Sequence, residues 1–258
     1  MIKENFHTHL HYCGHAVGEA ADYIKQAKQL GFTAIGFSEH VPYPESYNDY
    51  EGFYNGARPP FTLLNDYLNE VNKAKENGQV AIYTGLEMDI NPKLYGYYDE
   101  LKERLDYCIG VIHFLFYNEG YEVNDLPDDG AVFNYLILLT EAVLTKRFSF
   151  IGHPDRFAIN NLIIDRLENY YELWRIFVMA AVSAAIPLEL NTAHVGYGLY
   201  DNEAAKNLWR IAAEEGAGVI INSDSHQPKD LNRYFTEAYA MADELGLKVI
   251  RFSESLNK

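Results

Sequence analysis

A repeated alternation constrains this sequence more than any other feature. Short apolar, strand-like runs fall at 2–7, 34–38, 81–87, 107–112, 148–152, 188–191 and 218–222, with a further weak one at 249–252. Helix-like segments at 18–30, 63–77, 202–215 and 230–245 each stop against a glycine, namely Gly31, Gly78, Gly216 and Gly246, the residue that ends helices most readily. In the first of them Ala20, Ile24, Ala27 and Leu30 share one face. Strand–helix alternation of this kind implies parallel strands joined by crossover helices. At 258 residues, with no linker or low-complexity break, it predicts α/β architecture in one barrel domain spanning 1–258. The most apolar stretch, 173–190, contains Arg175, Ser183 and Pro187. It reads as a buried helix leading to a strand, not a membrane span. Two segments interrupt the rhythm, 41–60 and 117–130, both rich in turn-forming residues. Both follow strand ends, so both belong to the face where barrels carry their chemistry.

The same strand ends collect the histidines. His7 and His9 form a His-x-His at the first, and alternate residues of a strand point to one side. His15 follows shortly, His40 closes the second run, Glu87 the third, His113 the fourth and His153 the fifth, while Asp224 and His226 follow the seventh. A single histidine at a strand end is usually structural. Seven of the nine in the chain, joined by two carboxylates at corresponding ends of successive units, predict a metal centre. Nine ligands exceed one tetrahedral zinc and suit a trinuclear cluster, in which a carboxylate such as Glu87 bridges two ions about 3.5–4 Å apart. Imidazole with carboxylate favours Zn, Fe or Mn. His11 is expected to line the entrance. His194, in Asn191-Thr192-Ala193-His194, is expected at the substrate or the surface.

Charge narrows the partners. The formal net charge is −16, which argues against a broad nucleic-acid face. A phosphate ligand then needs a local source of positive charge, which clustered divalent ions supply. Cys13 and Cys108 are too few for a disulfide framework and fit a reducing cytoplasm. The first residues carry no signal-peptide pattern.

These motifs resemble the PHP (polymerase and histidinol phosphatase) superfamily, and within it the histidinol-phosphatase branch. The matching stretches are His7-Thr8-His9-Leu10-His11-Tyr12-Cys13-Gly14-His15, Ser38-Glu39-His40, Gly85-Leu86-Glu87-Met88-Asp89, Gly110-Val111-Ile112-His113, Ile151-Gly152-His153 and Ser223-Asp224-Ser225-His226. The resemblance implies a distorted (β/α)7 TIM-like barrel with the site at the C-terminal strand ends. It implies three divalent ions: the first held by His7, His9, Glu87 and Asp224, the second by Glu87, His113 and His153, the third by His15, His40 and His226. It further implies that a hydroxide between the first two ions attacks phosphorus, that Asp224, His226 and Glu87 serve the chemistry, and that the substrate is L-histidinol phosphate.

The segment after the sixth run has no Lys or Arg until Lys206. Grip on a phosphate is therefore expected from Arg156, three residues after His153, or from Arg58, with Asn191 and His194 as further substrate contacts. Tyr43, Tyr47, Tyr50, Phe53 and Tyr54 crowd the loop after His40, where they pack the loop or cover a small organic substrate. The rival readings are a phosphoesterase of the same fold acting on another small ester or a diester, an amidohydrolase, and a non-catalytic metal-binding domain. Amidohydrolase barrels commonly bridge their ions with a modified lysine, and Glu87 stands at that position here.

Overall fold

A computed structural model describes residues 1–44, 61–115 and 121–256. The strands are β1 Glu4–Asn5, β2 Ala34–His40, β3 Ala81–Asp89, β4 Tyr107–Val111, β5 Phe114–Leu115, β6 Tyr121–Glu122, β7 Phe150–Ile151, β8 Leu188–Asn191, β9 Gly218–Asn222 and β10 Lys248–Val249. The helices are α1 Ala20–Leu30, α2 Leu64–Ala74, α3 Tyr95–Lys102, α4 Asp129–Thr145, α5 Tyr171–Ala184, α6 Thr192–Gly196, α7 Glu203–Glu214, α8 Phe235–Glu244 and α9 Ser253–Leu256. Eight strands form one sheet in the order β1-β2-β3-β4-β7-β8-β9-β10, and β5 and β6 form an antiparallel hairpin. The β1–β2, β2–β3, β7–β8 and β9–β10 pairs are parallel. Beyond β1, Thr8 bridges in parallel to Ser225, just past the end of β9. Within this sheet each strand neighbours the sheet's next strand in sequence, and the segment beyond the first meets the one that follows β9. That is the strand order of a distorted β/α barrel, the fold class the alternation predicts, with two-residue β10 added beside β9.

The chain divides into two compact units. The first comprises Met1–Ile109, Asn222–Arg233 and Arg251–Lys258, the second Gly110–Ile221 and Tyr234–Ile250. In the first unit the tightest packing lies against β2 and β3. A side chain at Gly36 or Gly85 would overlap the ring of Tyr107, whose hydroxyl donates to the Phe6 carbonyl at 2.8 Å. Only glycine at both positions lets this tyrosine lie across the strands and reach the end of β1. In the second unit α4, α5 and α7 enclose a core of Trp174, Trp209, Phe157, Phe177 and Tyr170, all fully buried. The Trp174 indole donates to the Leu208 carbonyl at 2.6 Å, which satisfies its one polar atom.

Three expectations need correction. The first strand covers Glu4–Asn5 and not 2–7, because the next amides turn to side chains. Phe6 N–H donates to Asn222 Oδ1 at 2.7 Å, His7 N–H to Asn5 Oδ1 at 3.1 Å and Thr8 N–H to Ser38 Oγ at 3.2 Å. The stretch 117–130 is not all loop: it holds β6, and Asp128 begins α4 by accepting from the Ala131 amide at 2.8 Å. Finally, α5 is not wholly buried, since Ile176, Met179 and Val182 face solvent. No helix among the described residues is long and apolar enough to cross a membrane.

Candidate metal centre

The first unit brings together seven of the nine predicted ligands. His7 and His9 lie on the segment leaving β1. That segment is held on one side by Thr8 Oγ1 donating to the Gly36 carbonyl at 2.8 Å. On the other side His9 N–H donates to the Ser225 carbonyl at 2.9 Å and Ser225 N–H to the His7 carbonyl at 3.2 Å. Anchored between β2 and the segment after β9, the two imidazoles converge, with ring centroids 5.2 Å apart. His7 Nε2 lies 3.2 Å from Glu87 Oε1 and 3.5 Å from Asp224 Oδ1. His9 Nε2 lies 3.2 Å from Asp224 Oδ1 and 3.7 Å from Glu87 Oε2. Glu87, at 1% exposure, also meets His40 Nδ1 at 2.6 Å.

His15 and His226 complete the cluster. Their Nε2 atoms face each other at 2.9 Å, and the His226 ring stacks on that of His9 at 4.3 Å. Two imidazole nitrogens at that separation share one proton or aim two lone pairs at a common cation. Donor atoms of His7, His9 and Asp224, of His9, His40 and Glu87, and of His15, His40 and His226 each fall within 4.8 Å of one another. The donor chemistry therefore fits divalent ions: imidazole nitrogens and carboxylate oxygens converge in a buried place.

Electrostatics follow from that crowding. Burial alone lowers the pKa of His9, but hydrogen bonds to Asp224 and Glu39 and the charge of Glu87 overcome it and push it up to about 9. Burial lowers His226, the positive His9 lowers it further, and it falls to about 4 despite Asp224. Burial works to raise Asp224, yet His7, His9 and His226 hold it well below the ordinary carboxylate range. Glu39 carries no role in the sequence reading and is central here. It is 1% exposed, accepts from the Leu10 and His40 amides at 3.2 and 3.1 Å, and lies 3.3 Å from His9 Nδ1. A carboxylate behind a ligating imidazole fixes its tautomer and direction. The signal was its place between Ser38 and His40 on a strand buried along its whole length.

The second unit holds the other two predicted ligands. His113 and His153 have ring centroids 5.2 Å apart. The His153 amide donates to Glu189 Oε2 at 2.9 Å. His194, 3% exposed, has its ring 6.3 Å from that of His153, and its Nδ1 lies 2.9 Å from Asp155 Oδ1. Asp155, also absent from the sequence reading, accepts from the Tyr200 hydroxyl at 2.6 Å and the Trp209 indole at 2.9 Å. Burial works to raise its pKa, but His194 and these donors lower it. Asn191 is buried; its Oδ1 accepts from the Ala193 amide at the start of α6 at 2.9 Å, and its Nδ2 donates to Glu189 at 3.3 Å. Arg156 Nε donates to Asn124 Oδ1 at 3.1 Å, and the guanidinium lies 3.7 Å from Glu122. Arg58 lies outside the described residues, as do Tyr47, Tyr50, Phe53 and Tyr54. Tyr43 is described, and its hydroxyl donates to Asp89 at 2.9 Å. His153 and Asp224 both have left-handed backbones, φ 30° and 49°, a region non-glycine residues enter at some cost and often at functional sites.

A parallel β/α fold with histidines and carboxylates gathered past its strand ends defines a divalent-metal hydrolase. The chain belongs to the PHP family, whose PHP domain matches residues 5–193. A probable histidinol-phosphatase from Deinococcus radiodurans is 29% identical over 266 residues, 95% of this chain and 95% of that protein. The histidinol-phosphatase of Bacillus subtilis is 30% identical over 128 residues, 47% of each. A histidinol phosphate phosphatase from Lactococcus lactis, solved with zinc, L-histidinol and phosphate, shares the fold. Its TM-score is 0.74 at 19% identity, over 96% of this chain and 95% of that one. With the family and these relatives, the chain is an enzyme of the phosphoric monoester hydrolase class.

Proposed function

We propose that this enzyme hydrolyses L-histidinol phosphate to L-histidinol and phosphate at a centre of three divalent ions, Zn, Mn or Fe, within one domain spanning 1–258. The observation that carries the reading is the convergence of His7, His9, Glu87 and Asp224 beside His15, His40 and His226. It stands together with end-to-end similarity to a probable histidinol-phosphatase. His7, His9, Glu87 and Asp224 would hold the first ion, and His15, His40 and His226 the third. In the family pattern His113 and His153 join Glu87 at the second. When bound, such ions neutralise charge on the phosphoryl oxygens and provide a nucleophile at neutral pH.

The chain's own residues do the rest. Glu39 holds the His9 ring by Nδ1, leaving Nε2 toward Asp224 and Glu87. His226, with its lowered pKa, is neutral at pH 7 and offers a lone pair. Asp224 and His226 lie together, Nδ1 to Oδ1 at 3.6 Å, and, both unprotonated at pH 7, are the groups assigned to orient and relay from a water that supplies the proton to the leaving alkoxide. Arg156 is the phosphate grip, with Arg58, Asn191 and His194 as further substrate contacts. Arg156 meets Glu122 and Asn124 at partly exposed positions, from which a guanidinium can exchange partners for a bidentate phosphate.

A second reading, another small phosphate ester, is kept by one observation: no Lys or Arg stands between β8 and Lys206. Phosphate release from L-histidinol phosphate and from p-nitrophenyl phosphate, by metal-loaded enzyme and by Asp224→Asn, separates the two. Preference for the first compound, lost in the variant, supports histidinol phosphate. Slow, unselective turnover that the variant abolishes favours the second reading.

A further inference from the structure

We propose that the outer face of α4 and α5 is the surface on which a second copy of this chain docks. α4 reads Asp-Gly-Ala-Val-Phe-Asn-Tyr-Leu-Ile-Leu-Leu-Thr-Glu-Ala-Val-Leu-Thr, with apolar residues on nearly every side. A helix apolar all round belongs inside a structure. Yet Phe133, Ile137 and Leu144 are 39%, 47% and 61% exposed, and on α5 Ile176, Met179 and Val182 are 53%, 53% and 39% exposed. These six are the majority of the eleven large apolar side chains exposed among the described residues. The spacing is regular: Phe133, Ile137 and Leu144 follow i, i+4, i+11, and Ile176, Met179 and Val182 follow i, i+3, i+6. Each set forms a stripe along its helix. α4 and α5 pack side by side within one unit, and Phe133 makes an edge contact with Tyr170, at the start of α5, with centroids 5.8 Å apart. The two stripes therefore belong to adjoining helices.

Area and charge select the occupant. At these exposures the six side chains leave roughly 500 Å² of apolar surface uncovered, close to the apolar share of a standard-size specific interface, which buries about 800 Å² per partner. The chain carries a net charge of −16, so most approaches between two copies are repelled. This face carries little of that charge: Asp129 and Glu141 on α4 and Glu172 and Arg175 on α5, with Asp129 already paired to Arg166 and Arg175 to Glu214 and Glu215. Two apolar stripes related by a two-fold axis are complementary to themselves, as an isologous interface requires. A basic partner would find little here to pair with.

The test is sedimentation equilibrium of the full-length protein from about 1 to 100 µM, beside the double variant Ile137→Asp/Met179→Asp. Both substitutions are at exposed positions, and far-UV circular dichroism checks that the fold is kept. The expected result is a wild-type mass of twice 29.5 kDa and a variant whose dissociation constant rises at least a hundredfold, sedimenting as a monomer. A wild-type protein monomeric across the whole range overturns the proposal. So does a folded variant that dimerises as tightly as wild type, which would put the interface elsewhere.

Discussion

Glu87→Gln isolates the carboxylate on which the cluster turns. Glu87 is 1% exposed and lies 2.6 Å from His40, 3.2 Å from His7 and 3.7 Å from His9, so it meets three of the imidazoles, and the contact with His40 is the shortest in the cluster. The amide keeps shape and volume and removes only the negative charge. A pair of unit charges about 4 Å apart at an effective dielectric of 20 interacts by ~4 kcal/mol. The amide oxygen still offers a neutral donor, which recovers part of this and leaves a loss of ~2–3 kcal/mol. That corresponds to about 30- to 150-fold weaker retention of the ions Glu87 touches. The assay is metal content by mass spectrometry after dialysis against graded chelator, run beside phosphate release and circular dichroism. A folded Glu87→Gln protein is expected to lose at least one equivalent of metal at a chelator concentration that wild type tolerates, and most of its activity with it. If it keeps the wild-type metal content and turns over within tenfold of wild type, the bridging role assigned to Glu87 is wrong.

Three further outcomes follow from the geometry. Asp155→Ala strips the acceptor from His194, Tyr200 and Trp209 inside a fully buried site and should cost ~3–5 kcal/mol in urea unfolding; a loss below 1 kcal/mol would show that the network carries little. Gly85→Ala drives a methyl into the Tyr107 ring and should destabilise by ~1–3 kcal/mol, lowering Tm by about 3–10 °C, with an unchanged Tm as the contrary result. His9 is raised from 6.5 to about 9, so its bound proton stabilises the metal-free fold fully below pH 6.5, and that contribution disappears as pH rises through 9. An ion must displace the same proton, so this group should make metal affinity climb up to about tenfold per pH unit between 6.5 and 9, with protons released on loading; titration calorimetry in buffers of different ionisation enthalpy reads the release, and its absence at pH 7.5 would contradict the assignment.

What the sequence made legible follows from where each signal comes. His7 and His9 show themselves because a His-x-His just past an apolar run is written directly into residue order, even though the strand itself ends at Asn5, and His40, Glu87, Asp224 and His226 because each stands where an apolar run stops. Glu39 and Asp155 stay hidden. A carboxylate that serves by sitting behind an imidazole needs no spacing of its own, only a neighbour brought from elsewhere in the chain, thirty residues away for His9 and thirty-nine for His194. α4 escapes for a different reason. Helical periodicity is visible only when one face is polar, and this helix is apolar on the faces it buries and on the face it presents. The first strand is overestimated because apolar content cannot show that the Phe6, His7 and Thr8 amides would pair with side chains.

The left-handed backbones of His153 and Asp224 tie these levels together. A strand that continued straight would send alternate side chains to opposite faces, and a ligand beyond its end would drift from its partners. A residue at positive φ turns the chain sharply just past β7 or β9, and its side chain is redirected where a regular strand would not send it. Glycine would take that conformation at less cost, but glycine has no ligand to offer, so the strain is retained and held from outside. For Asp224 the restraint is Arg233, which donates to the Ser223 carbonyl at 2.9 and 3.1 Å and to the Asp224 carbonyl at 3.1 Å. For His153 it is Glu189, which accepts from the backbone amide of the turned residue. The two turns are fixed by charged side chains gripping main-chain atoms, an arrangement that supports the ligand roles proposed for the imidazole and the carboxylate.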